Sequence, residues 1–227
     1  MRYRVALIGL GSVGELHLAA YRGIDTDTIE IVAAAEPNMP RREALLAGTG
    51  IRGFSDHREL LRVCRPDIAC VLTPAASHEE VVLDCAAAGV NVLCEKPIAL
   101  TLESAERMRN ACDTASIRFC YGASYRYLPA IRQAWELIRA GAIGRVQFMR
   151  EDAIGGRGEA NWRALPFAHY PANGPGGSGM GLMDHGIHLI DVFRWFADQE
   201  VVRVNGRGNI SGQAPRTEYV HMEFDGG

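Results

Sequence analysis

Arg4-Val5-Ala6-Leu7-Ile8-Gly9-Leu10-Gly11-Ser12-Val13-Gly14 is the stretch that decides the architecture. Four apolar residues run straight into three glycines at G-x-G-x-x-G spacing, and residues 12–22 read as a helix. A strand that breaks on glycine into a helix is the context in which this spacing carries meaning. Gly9 permits a tight turn, Gly11 lets the backbone approach a pyrophosphate, and Gly14 lets helix and strand pack closely. Ser12 and Val13 open the helix, where N–H donors and the positive end of the dipole favour an anion. Glu36 ends the next apolar run, 22 residues beyond Gly14. A carboxylate there accepts hydrogen bonds from adenosine ribose hydroxyls and repels a 2′-phosphate. The set predicts dinucleotide binding with NAD favoured, while Arg41 and Arg42 nearby leave NADP open.

On either side of that stretch, strand and helix patterns alternate. Strands are expected at residues 4–9, 29–35, 68–72, 90–94 and 117–121. Helices are expected at 12–22, 40–47, 56–63, 77–88 and 101–115. Asp56 with Glu59 three residues on has capping-box spacing, and Thr101 suits an N-cap. Repeated βαβ units imply a parallel sheet, so residues 1–122 are expected to form a doubly wound α/β Rossmann domain. The pattern then changes. An amphipathic helix at 129–140 precedes an alternating strand at 145–154, a Gly/Pro-rich loop at 155–181, a helix at 182–196 and strands at 201–210 and 218–224. Residues 123–227 thus read as a partial α/β domain with an open sheet. Asp225-Gly226-Gly227 is a turn signal that calls for a further strand, so the chain reads as cut inside that sheet.

Composition narrows the function classes. With 48% apolar and 22% charged residues over 227 positions, the chain is globular, not disordered. No apolar run is long enough for a membrane span, and no signal peptide precedes the first strand, so a cytoplasmic location is expected. A net charge of −3 without charge blocks gives no support for nucleic-acid or membrane partners. The six cysteines, at 64, 70, 85, 94, 112 and 120, lack C-x-x-C spacing. They read as buried thiols of a reducing compartment, with no disulfide and no metal site.

The chain contains one lysine, Lys96, against 23 arginines. In a sequence where Arg has taken nearly every basic position, a retained Lys marks a place where guanidinium does not serve. Lys96 lies in Cys94-Glu95-Lys96-Pro97, directly after a strand at the carboxyl edge of the parallel sheet, where such folds bind ligands. Glu95 is placed to orient it, and Pro97 fixes the chain as it leaves the strand. Thr73-Pro74-Ala75-Ala76-Ser77-His78 follows another strand at the same edge, so Thr73, Pro74 and His78 can line the cofactor cleft. His78 reads equally well as a surface residue. In Asp184-His185-Gly186-Ile187-His188-Leu189-Ile190-Asp191, helical spacing puts Asp184, His188 and Asp191 on one face. Carboxylates flanking an imidazole suit proton transfer. Gly186 inside that helix would cost about 1 kcal/mol relative to Ala. His185 and His188 lack the third ligand that zinc needs.

In this order, GLGSVG at 9–14, Glu36, TPAASH at 73–78, CEKP at 94–97 and DHGIH at 184–188 resemble the glucose–fructose oxidoreductase/inositol dehydrogenase/MocA family. Tyr125-Arg126-Tyr127-Leu128-Pro129 resembles the family's entry into its second domain, with Ser124 where Asn is common. The resemblance implies a Rossmann domain followed by an α/β domain with an open, mostly antiparallel sheet. It implies an NAD(P)-dependent dehydrogenase acting on a CH–OH group of a sugar, inositol or related polyol, and a homodimer or homotetramer. It also implies complete chains longer than this one. Catalytic roles then fall to Lys96, Asp184 and His188. Cofactor contacts fall to Gly9, Gly11, Ser12, Val13, Gly14, Glu36, Arg41, Thr73, Pro74, His78, Glu95, Lys96, Pro97 and Arg126. An NAD-dependent glycoside hydrolase and a non-catalytic nucleotide-binding regulator are the alternatives.

Overall fold

β-branched and small apolar side chains fill the runs that become strands. A parallel sheet covered on both faces needs such near-continuous apolar strands. A computed structural model of the chain describes residues 2–24, 27–152, 185–211 and 214–226. Its first unit, residues 1–122, holds strands β1 (Tyr3–Ile8), β2 (Ile29–Ala35), β3 (Arg52–Phe54), β4 (Ile68–Val71), β5 (Asn91–Cys94) and β6 (Phe119–Tyr121). Helices α1 (Ser12–Arg22), α2 (Met39–Leu46), α3 (His57–Cys64), α4 (His78–Ala87) and α5 (Leu102–Thr114) connect them. All pairs are parallel, in the order β3-β2-β1-β4-β5-β6. This is the doubly wound order of dinucleotide-binding sheets. The register lines up Ile8 with Ala35 and Val71, Val71 with Cys94, and Cys94 with Tyr121. The next residues, Gly9, Glu36, Leu72, Glu95 and Gly122, therefore leave the sheet along one edge.

Alternation along β1 splits the core in two. Ala6 and Ile8 join the cluster built with Leu60, Val82, Cys85, Met108 and Cys112 from α3, α4 and α5. Val5 and Leu7 face the other way, to Leu10, Leu18 of α1, Ala34 and Cys70. Alternate side chains of one strand thus serve both faces.

Several expectations need correction. β3 was not anticipated: three residues, of which only Phe54 is buried, carry no periodic signal. The helix expected from residue 77 starts at His78, after a 3-10 turn over Ala75–Ser77. All six cysteines are free, but Cys120 is exposed, not buried. It lies on β6, the last strand of the sheet, where one side has no neighbouring strand among the described residues. Residues 145–152 form no strand, and residues 153–154 lie outside the described ones. Alternation alone does not make a strand without a partner backbone, and Phe148 there is 77% exposed.

The second unit, residues 123–227, holds a 3-10 turn over Ser124–Tyr127, helices α6 (Pro129–Arg139) and α7 (Ile187–Ala197), and an antiparallel pair of β7 (Val201–Ser211) and β8 (Ala214–Phe224). Trp135 of α6 stacks on Trp195 of α7, with ring centroids 4.8 Å apart. Gly186 has helical backbone angles, φ −59° and ψ −28°, and belongs to a π-helical turn at residues 185–186 that runs straight into α7, so it sits within the helical stretch as expected. Among the described residues, no helix is long and apolar enough to cross a membrane.

Candidate active site

The glycine loop after β1 is shaped by steric need at two positions. Gly9 has φ +98°, and a Cβ there would stand 2.8 Å from the Leu72 carbonyl carbon. A Cβ on Gly14 would come within 2.4 Å of the Gly9 carbonyl oxygen. Gly11 differs, because a Cβ there meets nothing within 4 Å. Internal packing does not demand a glycine at that position, whereas close approach of a ligand to the backbone would. Gly11 is also the N-cap of α1 and supplies no side-chain cap. Asn38, Asp56 and Thr101 cap α2, α3 and α5 by accepting from Arg41, Arg58 and Ser104 N–H groups. The start of α1, with Ser12 and Val13, fits a bound diphosphate.

Glu36 braces this loop. Its Oε2 accepts from the Leu10 N–H and its Oε1 from the Asn38 N–H, each at 3.0 Å. Arg41 donates to the Leu10 carbonyl and to Glu15, and Arg42 donates to the Glu36 carbonyl at 2.5 Å. Both guanidinium groups are thus engaged within the chain beside Glu36. Thr73 abuts the loop, its backbone nitrogen 2.9 Å from where a Gly9 Cβ would stand. The Thr73 hydroxyl is buried and has no hydrogen-bond partner among the described residues. Such an orphan is costly and suits a site completed by a ligand. Pro74 leads into the 3-10 turn that ends beside His78.

His78 is a core residue, 1% exposed, which corrects its reading as a surface side chain. Its Nε2 lies 2.8 Å from the Thr73 carbonyl and its Nδ1 3.2 Å from the Ile98 carbonyl. It ties the loop after β4 to the turn after β5. Burial holds its imidazole below the ordinary histidine range, against the pull of those carbonyls.

The turn after β5 carries Glu95, Lys96 and Pro97, with a cis Lys96–Pro97 bond. Glu95 uses both carboxylate oxygens inside the protein. Oε1 lies 3.0 Å from Nε2 of His17 on α1, and Oε2 accepts from the Lys96 N–H at 3.0 Å. Burial pushes the Glu95 carboxyl up. The His17 and Lys96 hydrogen bonds, with the charges of both residues, outweigh it and hold the carboxyl below the usual range. Sequence reasoning missed His17. Its only signal is its place on α1, three residues beyond Gly14.

In the second unit, the Tyr125 ring lies flat on the His188 ring, with centroids 4.2 Å apart and planes 6° from parallel. His188 is 9% exposed. The Tyr125 hydroxyl is 3.4 Å from Nδ1 of His185, whose Nε2 lies 3.6 Å from Glu151. Asp191, expected to flank the imidazole, gives both oxygens to the Arg126 guanidinium at 2.7 and 2.5 Å. Arg126 also lies over the Trp195 ring, 5.3 Å from its centroid. Arg126 thus contributes a fork of hydrogen bonds that ties the 3-10 turn to α7. Asp184 lies outside the described residues. No group of His, Cys, Asp and Glu suited to a metal occurs among the described residues.

Comparison with known proteins agrees with this geometry. Residues 3–123 match the family model described as "Oxidoreductase family, NAD-binding Rossmann fold", and residues 131–227 match the GFO/IDH/MocA C-terminal domain. The rhizopine catabolism protein MocA of Rhizobium meliloti is 30% identical over 200 residues, 88% of this chain and 58% of that protein. A D-apiose dehydrogenase of Paraburkholderia graminis is 38% identical over 144 residues, 63% of this chain and 38% of that protein. The crystal structure of scyllo-inositol dehydrogenase from Lactobacillus casei, with bound NAD(H) and scyllo-inositol, superposes with a TM-score of 0.85. That match has 22% identity and covers 100% of this chain and 67% of the other. The chain spans between about two fifths and three fifths of the length of the two curated relatives named here. With both halves matched and the NAD-binding sheet order in place, the chain belongs to the GFO/IDH/MocA oxidoreductase family.

Proposed function

We propose that this chain provides the NAD site and catalytic side chains of a dehydrogenase acting on a ring hydroxyl of a sugar, inositol or related polyol. The observation that carries the reading is the position of Lys96. The single lysine of the chain sits at the carboxyl edge of a Rossmann sheet, in a turn braced by Glu95 and His78. The family model and a D-apiose dehydrogenase among the relatives support the reaction class and a sugar-like substrate. NAD, when bound, supplies the hydride acceptor.

The chain's own residues do the rest. Gly9 to Gly14 and the start of α1 receive the diphosphate, and Glu36 accepts from the adenosine ribose hydroxyls. Lys96 donates a hydrogen bond to the substrate oxygen and steadies the negative charge that develops there. His188, its ring held flat by Tyr125, takes the hydroxyl proton, with Asp184 as its orienting carboxylate. A placed base contributes roughly 10²–10⁴-fold in rate, and a placed oxyanion donor a comparable factor.

NADH titration by fluorescence is expected to saturate, with NADPH binding more weakly. On a polyol and sugar panel read at the nicotinamide absorbance, Lys96→Ala and His188→Ala are each expected to lose at least about 100-fold in turnover with NADH still bound. Full turnover in either variant removes that residue from the reaction.

A further inference from the structure

We infer that His17 is a positioning residue for Lys96, acting through Glu95. The inference rests on the reading of Lys96 as the donor to the substrate oxygen. The Glu95 carboxylate is a bridge with one oxygen on each side. Oε1 meets His17, in the second turn of the helix that begins at the glycine loop. Oε2 holds the backbone N–H of Lys96 itself. The two side chains are only 20% and 18% exposed, so solvent screens this pair less than it would a surface pair.

Gly122, just past β6, lies beside Glu95: its N–H donates to the Cys94 carbonyl at 2.9 Å, and a Cβ there would touch the Cα and the Cδ of Glu95 at 3.4 Å. His17 is itself steadied by the neighbouring ring of Tyr21, with centroids 5.9 Å apart. The Tyr21 hydroxyl reaches the buried Cys70 thiol at 3.0 Å. The far end of the turn is fixed separately, where His78 meets the Ile98 carbonyl. The Lys96 backbone is thus pinned on one side by His17 and Glu95 and on the other by His78. Through Glu95, the helix that receives the dinucleotide is mechanically joined to the residue that receives the substrate oxygen. The family resemblance gives Glu95 a cofactor contact; its bonds to His17 and the Lys96 N–H give it a further task.

The uniqueness of Lys96 supplies a test that needs no substrate. Apart from the chain's α-amino group, its ε-amine is the only aliphatic amine in the protein. The whole chain is treated with N-hydroxysuccinimidyl acetate, and acetylation of the Lys96 peptide is followed by mass spectrometry. In His17→Gln and in Glu95→Gln the released turn is expected to acetylate about 5-fold faster or more. The double variant is expected to match the singles within about 2-fold, because coupled residues do not add. NADH affinity is expected to stay within about 3-fold, and the surface variant Glu80→Gln to leave the rate unchanged. An unchanged rate in His17→Gln, or a multiplied effect in the double, overturns the inference. Should His17→Gln fail the circular-dichroism check, His17→Asn is read in its place. On a turned-over polyol, the loss is expected in kcat, about 10-fold or more, with KM held within about 3-fold. Full turnover by Lys96→Ala would instead remove the underlying reading and leave the acetylation result standing.

Discussion

Glu36 spends both carboxylate oxygens on backbone N–H groups, those of Leu10 and Asn38, and so holds the glycine loop and its own orientation together. Removing it costs the loop a brace and, on the proposed reading, the ribose an acceptor. A hydrogen bond to a charged group is worth about 1.5–3 kcal/mol, so Glu36→Ala is expected to weaken NADH binding by about 10-fold or more. It should also narrow the gap between NADH and NADPH, as parallel titrations would read. The place of Glu36 at the end of the second strand, beside the glycine loop, was legible from spacing alone. His78 was less so. Its two carbonyl neighbours come from loops that are distant in sequence, and no local pattern announces their convergence. Burial holds its imidazole below the ordinary histidine range, so the unfolded chain takes up its proton first as pH falls. The stabilisation is full above about 6.5 and is lost progressively as pH falls from there toward the lower folded value. Urea midpoints are expected to drop between about pH 7 and pH 5.5. His78→Gln should be less stable at pH 7 and show a shallower pH slope.

Elements with a strong period or a cap read correctly from sequence. The caps at Asp56 and Thr101 were visible, and both side chains accept the backbone N–H groups of their helices. β3 escaped notice because its three residues owe their conformation to Ala33–Ala35 alongside. Residues 145–152 erred the other way, since an alternating pattern describes a surface and not a partner. In α7 the helix was legible but the use of Asp191 was not. Its partner, Arg126, comes from a turn 65 residues earlier. That fork ties the turn to α7, and Trp195 packs under the same guanidinium. Arg126 is 38% exposed, so the pair is partly screened. Asp191→Asn, which keeps size and loses charge, is expected to cost about 1 kcal/mol. Urea unfolding followed by near-ultraviolet circular dichroism would measure it.

At the scale of the molecule, the parallel sheet and its strand order follow from βαβ alternation, and the ligand-binding edge follows from the sheet. Motifs 9–14, 73–78 and 94–97 all meet at that edge because the register of β1, β4 and β5 brings their ends level. What sequence could not convey was how tightly the protein itself uses the polar groups there. Glu36, Glu95 and His78 read as residues waiting for a ligand. In the structure each already holds two parts of the chain together.

All three tryptophans, Trp135, Trp162 and Trp195, fall in residues 123–227, and the unit with the dinucleotide site contains none. Indole emission therefore reports on one unit, while reduced nicotinamide, which absorbs in the same range, would bind in the other. Energy transfer from indole to NADH would act as an internal ruler between the two units, built in without any added label. Its efficiency at saturation, with and without a polyol, would read the distance from indole to nicotinamide.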